Sequence, residues 1–153
     1  MIYLECKPDK ALVSAIGIPS REISHERGKT KVCKKLEKYN NSKGLVDEDP
    51  FGTQPRYIRK LRVHSNKHSV KILEDETNNN YLIVLCPALE GWVLEAAREA
   101  KIDISEYGFP PEPNRFHKAV NTRLKNFERL LEDLIKQKSK MIITLEGFLK
   151  GKI

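Results

Sequence analysis

The first fifty residues alternate short apolar runs with segments of helical period, and this alternation constrains the fold more than any other feature of the chain. Ile2-Tyr3-Leu4 is too short for a helix and ends at Glu5. Pro8 suits the first turn of a helix, Ala11, Leu12, Val13, Ala15 and Ile16 give it an apolar face, and Gly17 fits its exit. Residues 21–24 read as a second strand. Over residues 30–40, Val32, Cys33, Leu36 and Tyr39 recur at helical rather than alternating spacing. Asn40, Asn41, Ser42 and Gly44 end that helix, and Leu45-Val46 forms a third strand. Strand–helix–strand–helix–strand implies right-handed crossovers and an α/β fold: a Rossmannoid sheet, mostly parallel and flanked by helices.

Further along, residues 50–62 read as a loop leading into a basic turn of helix. Val70 and Ile72, then residues 81–85, read as two strands joined by a hairpin at Thr77-Asn78-Asn79-Asn80. Pro87 starts a helix with Leu89, Trp92, Val93, Ala96, Ala97 and Ala100 facing inward. Gly108-Phe109-Pro110-Pro111-Glu112-Pro113 is the best linker in the chain. After it, Val120, Leu124, Phe127, Leu131 and Leu134 predict one long amphipathic helix over about 113–138, and the tail 141–153 fits a short helix or an edge strand. The expectation is one domain over 1–153, with an α/β core at 1–108 and a C-terminal helical extension at 113–153 packed on it. The long helix also offers a surface for a homo-oligomer or a partner.

Charge is unevenly placed. The net charge is +7, yet Asp47-Glu48-Asp49 closes the third strand. Seven basic residues between Arg27 and Lys43 face one acid, and the 56–71 segment carries Arg56, Arg59, Lys60, Arg62, Lys67 and Lys71 with no acid. Basic segments on both sides of an acidic triplet point toward phosphate as a partner. No apolar run approaches the ~20 residues of a membrane span, so no membrane role is expected. The start of the chain lacks signal-peptide character. Cys6, Cys33 and Cys86 are far apart and form no CxxC, which fits reduced thiols and a cytoplasmic setting.

Two motifs fail on inspection. Gly28-Lys29-Thr30 mimics the end of a P-loop, but Ile23 stands where the motif needs its first glycine. His25, His64, His68 and His117 form no convincing metal-ligand pair, and structural or surface roles account for them. The carboxylates remain. Ligands of α/β sheets bind beyond the carboxyl ends of the strands. Glu5 ends the first strand, and Asp47 and Asp49, two apart, can point to the same side at the end of the third while Glu48 points away. Oxygen ligands at that density suit Mg2+ or Mn2+. The competing reading is an Asx-type turn before Pro50, with Glu5 as a local helix partner.

Glu5-Cys6-Lys7-Pro8-Asp9, a helix, and then Asp47-Glu48-Asp49 after a strand together resemble the Toprim domain. That domain occurs in type IA and II topoisomerases, bacterial primases and OLD-family nucleases, and in small stand-alone proteins. The resemblance covers residues 1 to about 50, and Leu82 to Leu94 (LIVLCPALEGWVL) is similar to a segment of some small members. Many members have glycine directly after the glutamate, where this chain has Cys6. The resemblance implies Glu5 as general acid/base or metal ligand and Asp47 and Asp49 as holders of Mg2+. It further implies Asp9 as metal support or helix cap, Glu90 as an outer acidic group, and Lys29, Lys31, Arg56 and Arg59 as holders of flanking phosphates. The implied activity is Mg2+-dependent phosphodiester chemistry on nucleic acid (DNA or RNA), most plausibly that of a nuclease. The alternative is a non-catalytic module of the same fold that binds nucleic acid or a protein through its basic face.

Overall fold

A computed structural model describes residues 1–151; Lys152 and Ile153, the end of the expected tail, lie outside the described residues. The strands are β1 (Ile2–Leu4), β2 (Ile23–His25), β3 (Lys43–Asp47), β4 (Arg62–Lys67), β5 (Val70–Asp75) and β6 (Asn80–Leu85). The helices are α1 (Lys7–Ile16), α2 (Lys29–Lys38), α3 (Arg56–Arg59), α4 (Leu89–Glu99), α5 (Pro113–Thr122), α6 (Leu124–Lys136) and α7 (Lys140–Lys150). The six strands form one sheet in the order β2-β1-β3-β6-β5-β4. β2, β1, β3 and β6 run parallel, while β5 and β4 are antiparallel additions at one edge. The fold is therefore α/β, with a mostly parallel mixed sheet flanked by helices.

Alternation along the strands divides the core in two. Leu4, Leu45, Ile72, Ile83 and Leu85 point to one face, where α1, α4, α5, α6 and α7 bury Leu12, Trp92, Phe116, Phe127 and Leu145 against them. Tyr3, Val46, Leu73, Leu82 and Val84 point to the other face, covered by Val32, Cys33 and Leu36 of α2 and Tyr57 of α3. On that side Gly44 sets the distance of closest approach. A Cβ there would lie 2.8 Å from Val32 Cγ1 and 3.0 Å from Leu36 Cδ1, so only glycine lets α2 seat on β3.

Four features differ from, or sharpen, the sequence-based expectation. The second strand lies two residues later than expected, after a 3-10 turn at Ser20–Glu22. β4 was hidden because it is an edge strand, exposed at five of its six positions, and so carries no hydrophobic period. The long helix is two helices. The apolar stripe runs through the break unaltered, but Arg123 leaves helical geometry (φ −126°, ψ 52°) and donates to the Gly108 carbonyl, while Asn126 Nδ2 donates to the Tyr107 carbonyl at 3.1 Å. Finally, the tail is helical through Lys150, and a charge from the sheet caps it. Lys43 Nζ donates to the carbonyls of Phe148, Leu149 and Gly151 at 2.7, 3.1 and 2.7 Å. These are carbonyls that a helix C-terminus leaves without backbone partners.

A second polar clamp holds the opposite face. Asn80 is fully buried; its Oδ1 accepts from the Ser42 amide at 2.7 Å, and its Nδ2 donates to the Leu36 and Tyr39 carbonyls, both at 2.7 Å. One side chain thereby ties the end of α2 to the start of β3 and β6. Asn80→Ala should cost about 2–4 kcal/mol, because it strands buried donors and acceptors rather than merely deleting a contact. Urea unfolding measures this, and a loss within about 0.5 kcal/mol of zero, the ordinary range for surface changes, would contradict the clamp.

Candidate functional site

Crossovers place the candidate residues. After β1 the chain passes through α1 to β2 on one side, then through α2 back across β1 to β3 on the other. Because α1 and α2 cover opposite faces, the carboxyl ends of β1 and β3 flank the crevice where the sheet changes direction. Leu4 pairs with Leu45 in the ladder, so the next residues out, Glu5 and Val46-Asp47, reach the same rim. There Glu5 Oε2 accepts a hydrogen bond from the Asp47 amide at 3.0 Å.

Helix starts surround this rim, since each helix that follows a parallel strand begins at its carboxyl end. Asp47 Oδ1 accepts from the amide of Leu89, the first residue of α4, at 2.8 Å. Asp9 closes the first turn of α1, where its Oδ2 accepts from the Cys6 amide at 3.1 Å. The positive ends of these helices partly offset the carboxylates. The offset is incomplete. Burial, then the charge of Asp47 and that of Glu5, pushes the Asp9 carboxyl well above the usual carboxylate range. Asp9 is fully buried, and its Oδ1 has no hydrogen-bond partner. Burial and the Glu5 charge raise Asp47 to about 7; Glu90 adds to the rise, whereas the Leu89 amide and Lys29 oppose it.

Glu5, Asp9, Asp47, Glu90 and Lys29 thus act on one another around one crevice. Lys29 opens α2, and its Nζ donates to the Glu48 carbonyl at 3.1 Å and to Gln54 Oε1 at 3.2 Å. Glu90 is buried at the start of α4 with an oxygen 2.9 Å from His117 Nδ1 on α5. Glu48 points away from the cluster, as alternation requires, and pairs with Lys71 Nζ at 3.3 Å.

Asp49 is not drawn in. It has φ +45°, is exposed, and starts the turn closed by the Gly52 amide on its carbonyl at 3.0 Å, with its carboxylate lying against Gly52. This part of the acidic triplet follows the turn reading. Lys31 is exposed on α2. Arg56 and Arg59 are exposed on α3, beyond the 48–54 loop, where Arg59 donates to the Gln54 carbonyl at 3.4 Å.

Three further participants, Gln54, Lys71 and His117, were not among the expected site residues. Gln54 braces the loop through Lys29 and through the Glu48 and Asp49 carbonyls at 3.1 and 2.9 Å. Lys71 reaches the loop from β5, and His117 meets Glu90 only through the packing of α4 on α5. None of these carries a local signal; each depends on elements distant in sequence.

Among the described residues, no three of His, Cys, Asp and Glu are grouped so as to hold a metal ion by themselves. No described helix is long and apolar enough to cross a membrane. Comparison with protein-family models, with curated proteins and with solved structures finds no significant match.

The raised Asp47 carboxyl has a testable consequence for stability. Between about pH 4 and pH 7 the native carboxyl keeps a proton that the unfolded one has released, so its contribution to stability falls as pH rises through that window. Asp47→Asn keeps an acceptor for Leu89 but removes the titration. In metal-free buffer the variant should match the parent near pH 4 and exceed it by up to about 4 kcal/mol above pH 7. Urea unfolding across pH reads the difference, and parallel curves would show that Asp47 has an ordinary pKa.

Proposed function

We propose that the crevice between β1 and β3 is a divalent-cation site of Toprim type, and that the protein performs Mg2+-dependent phosphodiester chemistry on nucleic acid as a small nuclease. The observation that carries this reading is the crowding of carboxyl groups in the crevice, where Glu5 and Asp47 meet beside the buried Asp9 with its unpartnered Oδ1, so that their full ionisation calls for a counter-charge. Mg2+ binds through one or two carboxylates, keeps several waters, and takes its remaining ligands from substrate phosphates, so a pair of protein carboxylates is enough for it. Glu5 and Asp47 would hold the ion. When bound, Mg2+ neutralises phosphate charge and orients the attacking oxygen.

The chain's own groups have separable roles. The amide of Asp47 orients Glu5, leaving Glu5 Oε1 free for a ligand or for a proton from the attacking water. The start of α4 orients Asp47 in the same way. Asp9, buried behind them, supports the site electrostatically and caps α1. Lys29 is anchored at the rim of the crevice, and the exposed Lys31, Arg56 and Arg59 would hold flanking phosphates, with steep salt dependence as the signature.

A second reading is favoured by the position of Asp49, turned out of the crevice, and by Cys6 at the N-cap of α1. In that reading the fold is a non-catalytic module that uses its basic face to bind nucleic acid or a protein.

Asp47→Asn separates the two. On the first reading, Mn2+ raises the melting temperature of the parent at pH 8 but not that of the variant, and Mg2+-dependent cleavage of nucleic acid falls by roughly a hundredfold or more. Equal cleavage by parent and variant would overturn the catalytic assignment. Oligonucleotide binding that is indifferent to chelator, with no Mn2+ shift, would establish the second reading.

A further inference from the structure

Phe51 is the most exposed large apolar side chain in the described structure, at 101% relative accessibility. A phenylalanine gains nothing from folding in that position, since its ring remains in water. The turn that carries it is tied at both ends by hydrogen bonds. Pro50 and Phe51 occupy the tip of the turn that the Gly52 amide closes on the Asp49 carbonyl. The Asp49 amide is in turn bonded to the Pro87 carbonyl at 3.0 Å, and Gln54 and Lys29 brace the base of the loop. This turn leaves the sheet immediately after Asp47.

The exposed Asp49 stands two residues before Phe51, and basic residues follow it along the chain. Arg56, Arg59 and Lys60 follow on α3 and just beyond it, all exposed, and none forms a salt bridge among the described residues. Beneath the loop lies a cavity of about 260 Å³, with Ile58, Leu73 and Val84 along its apolar side and Asp47, Gln54 and Lys71 among its polar lining.

We propose that Phe51 is a stacking platform for an unpaired base, and that the protein takes single-stranded nucleic acid, or a frayed end, across the crevice. Unpaired cations beside an exposed aromatic ring form the combination that recognises single strands: cations follow the backbone and the ring takes a base face. In a duplex both faces of each internal base are already stacked, so the ring has nothing to receive. The inference rests on the nucleic-acid reading above and specifies its substrate.

The test is fluorescence anisotropy of a labelled twelve-nucleotide thymidine oligomer and of a blunt duplex, in chelator so that cleavage plays no part. Phe51→Ala should weaken binding of the single strand about tenfold, leave the duplex within about twofold, and keep the parent's melting temperature. Phe51→Trp should bind the single strand at least as well as the parent. A single-strand affinity unchanged in Phe51→Ala, an equal loss on both substrates, or a Phe51→Trp variant as weak as the alanine would overturn the stacking role alone. A parent protein that binds neither oligonucleotide would overturn the nucleic-acid reading as well.

Discussion

The Glu5 and Asp47 carboxyl groups meet across the direction-changing point of the sheet, where the Asp47 backbone amide donates to Glu5 Oε2. That meeting follows from topology. Right-handed crossovers on opposite faces put β1 beside β3, and the pairing of Leu4 with Leu45 brings their carboxyl ends to the same level. The rise in the Asp47 and Asp9 pKa values follows from this juxtaposition, and the proposed cation site depends on it. The cost is electrostatic, because carboxyl groups drawn out of water near one another resist ionisation.

The fold limits that cost without removing it. Starts of α1 and α4 face the crevice, each lending an amide to a carboxylate, and Lys29 at the start of α2 brings the nearest opposing charge. Lys29 is itself bound to the 48–54 loop, so it serves both to moderate Asp47 and to hold the turn that carries Phe51. Rigidity elsewhere protects this arrangement. Lys43 and Asn80 pin α7 and α2 near the other end of β3.

Much of the architecture was legible because it is written in local periodicity. Val32, Cys33 and Leu36 declare α2, Leu45-Val46 declares β3, and Gly17 ends α1 in the left-handed conformation that glycine favours (φ +109°). β4 was illegible because both of its faces are largely solvated, and the break at Arg123 because tertiary bonds to residues 107–108 override a continuous apolar stripe. The site divides along the same line. Glu5 and Asp47 could be read from strand ends. Asp49 could not, since two-residue spacing predicts a shared side only while the backbone stays extended, and a residue at φ +45° has already turned. Glu90 was approachable through the strand–helix segment that carries it, whereas its contact with His117 arises only from helix packing.

The most direct test of the crevice is to titrate the Asp47 carboxyl itself by carbon-13 NMR, with and without Mg2+. An apparent pKa near 7 is expected in metal-free buffer, falling by more than one unit when the ion is added, with no such response in the exposed aspartates. An Asp47 that titrates near 4 without metal and ignores Mg2+ would contradict that expectation.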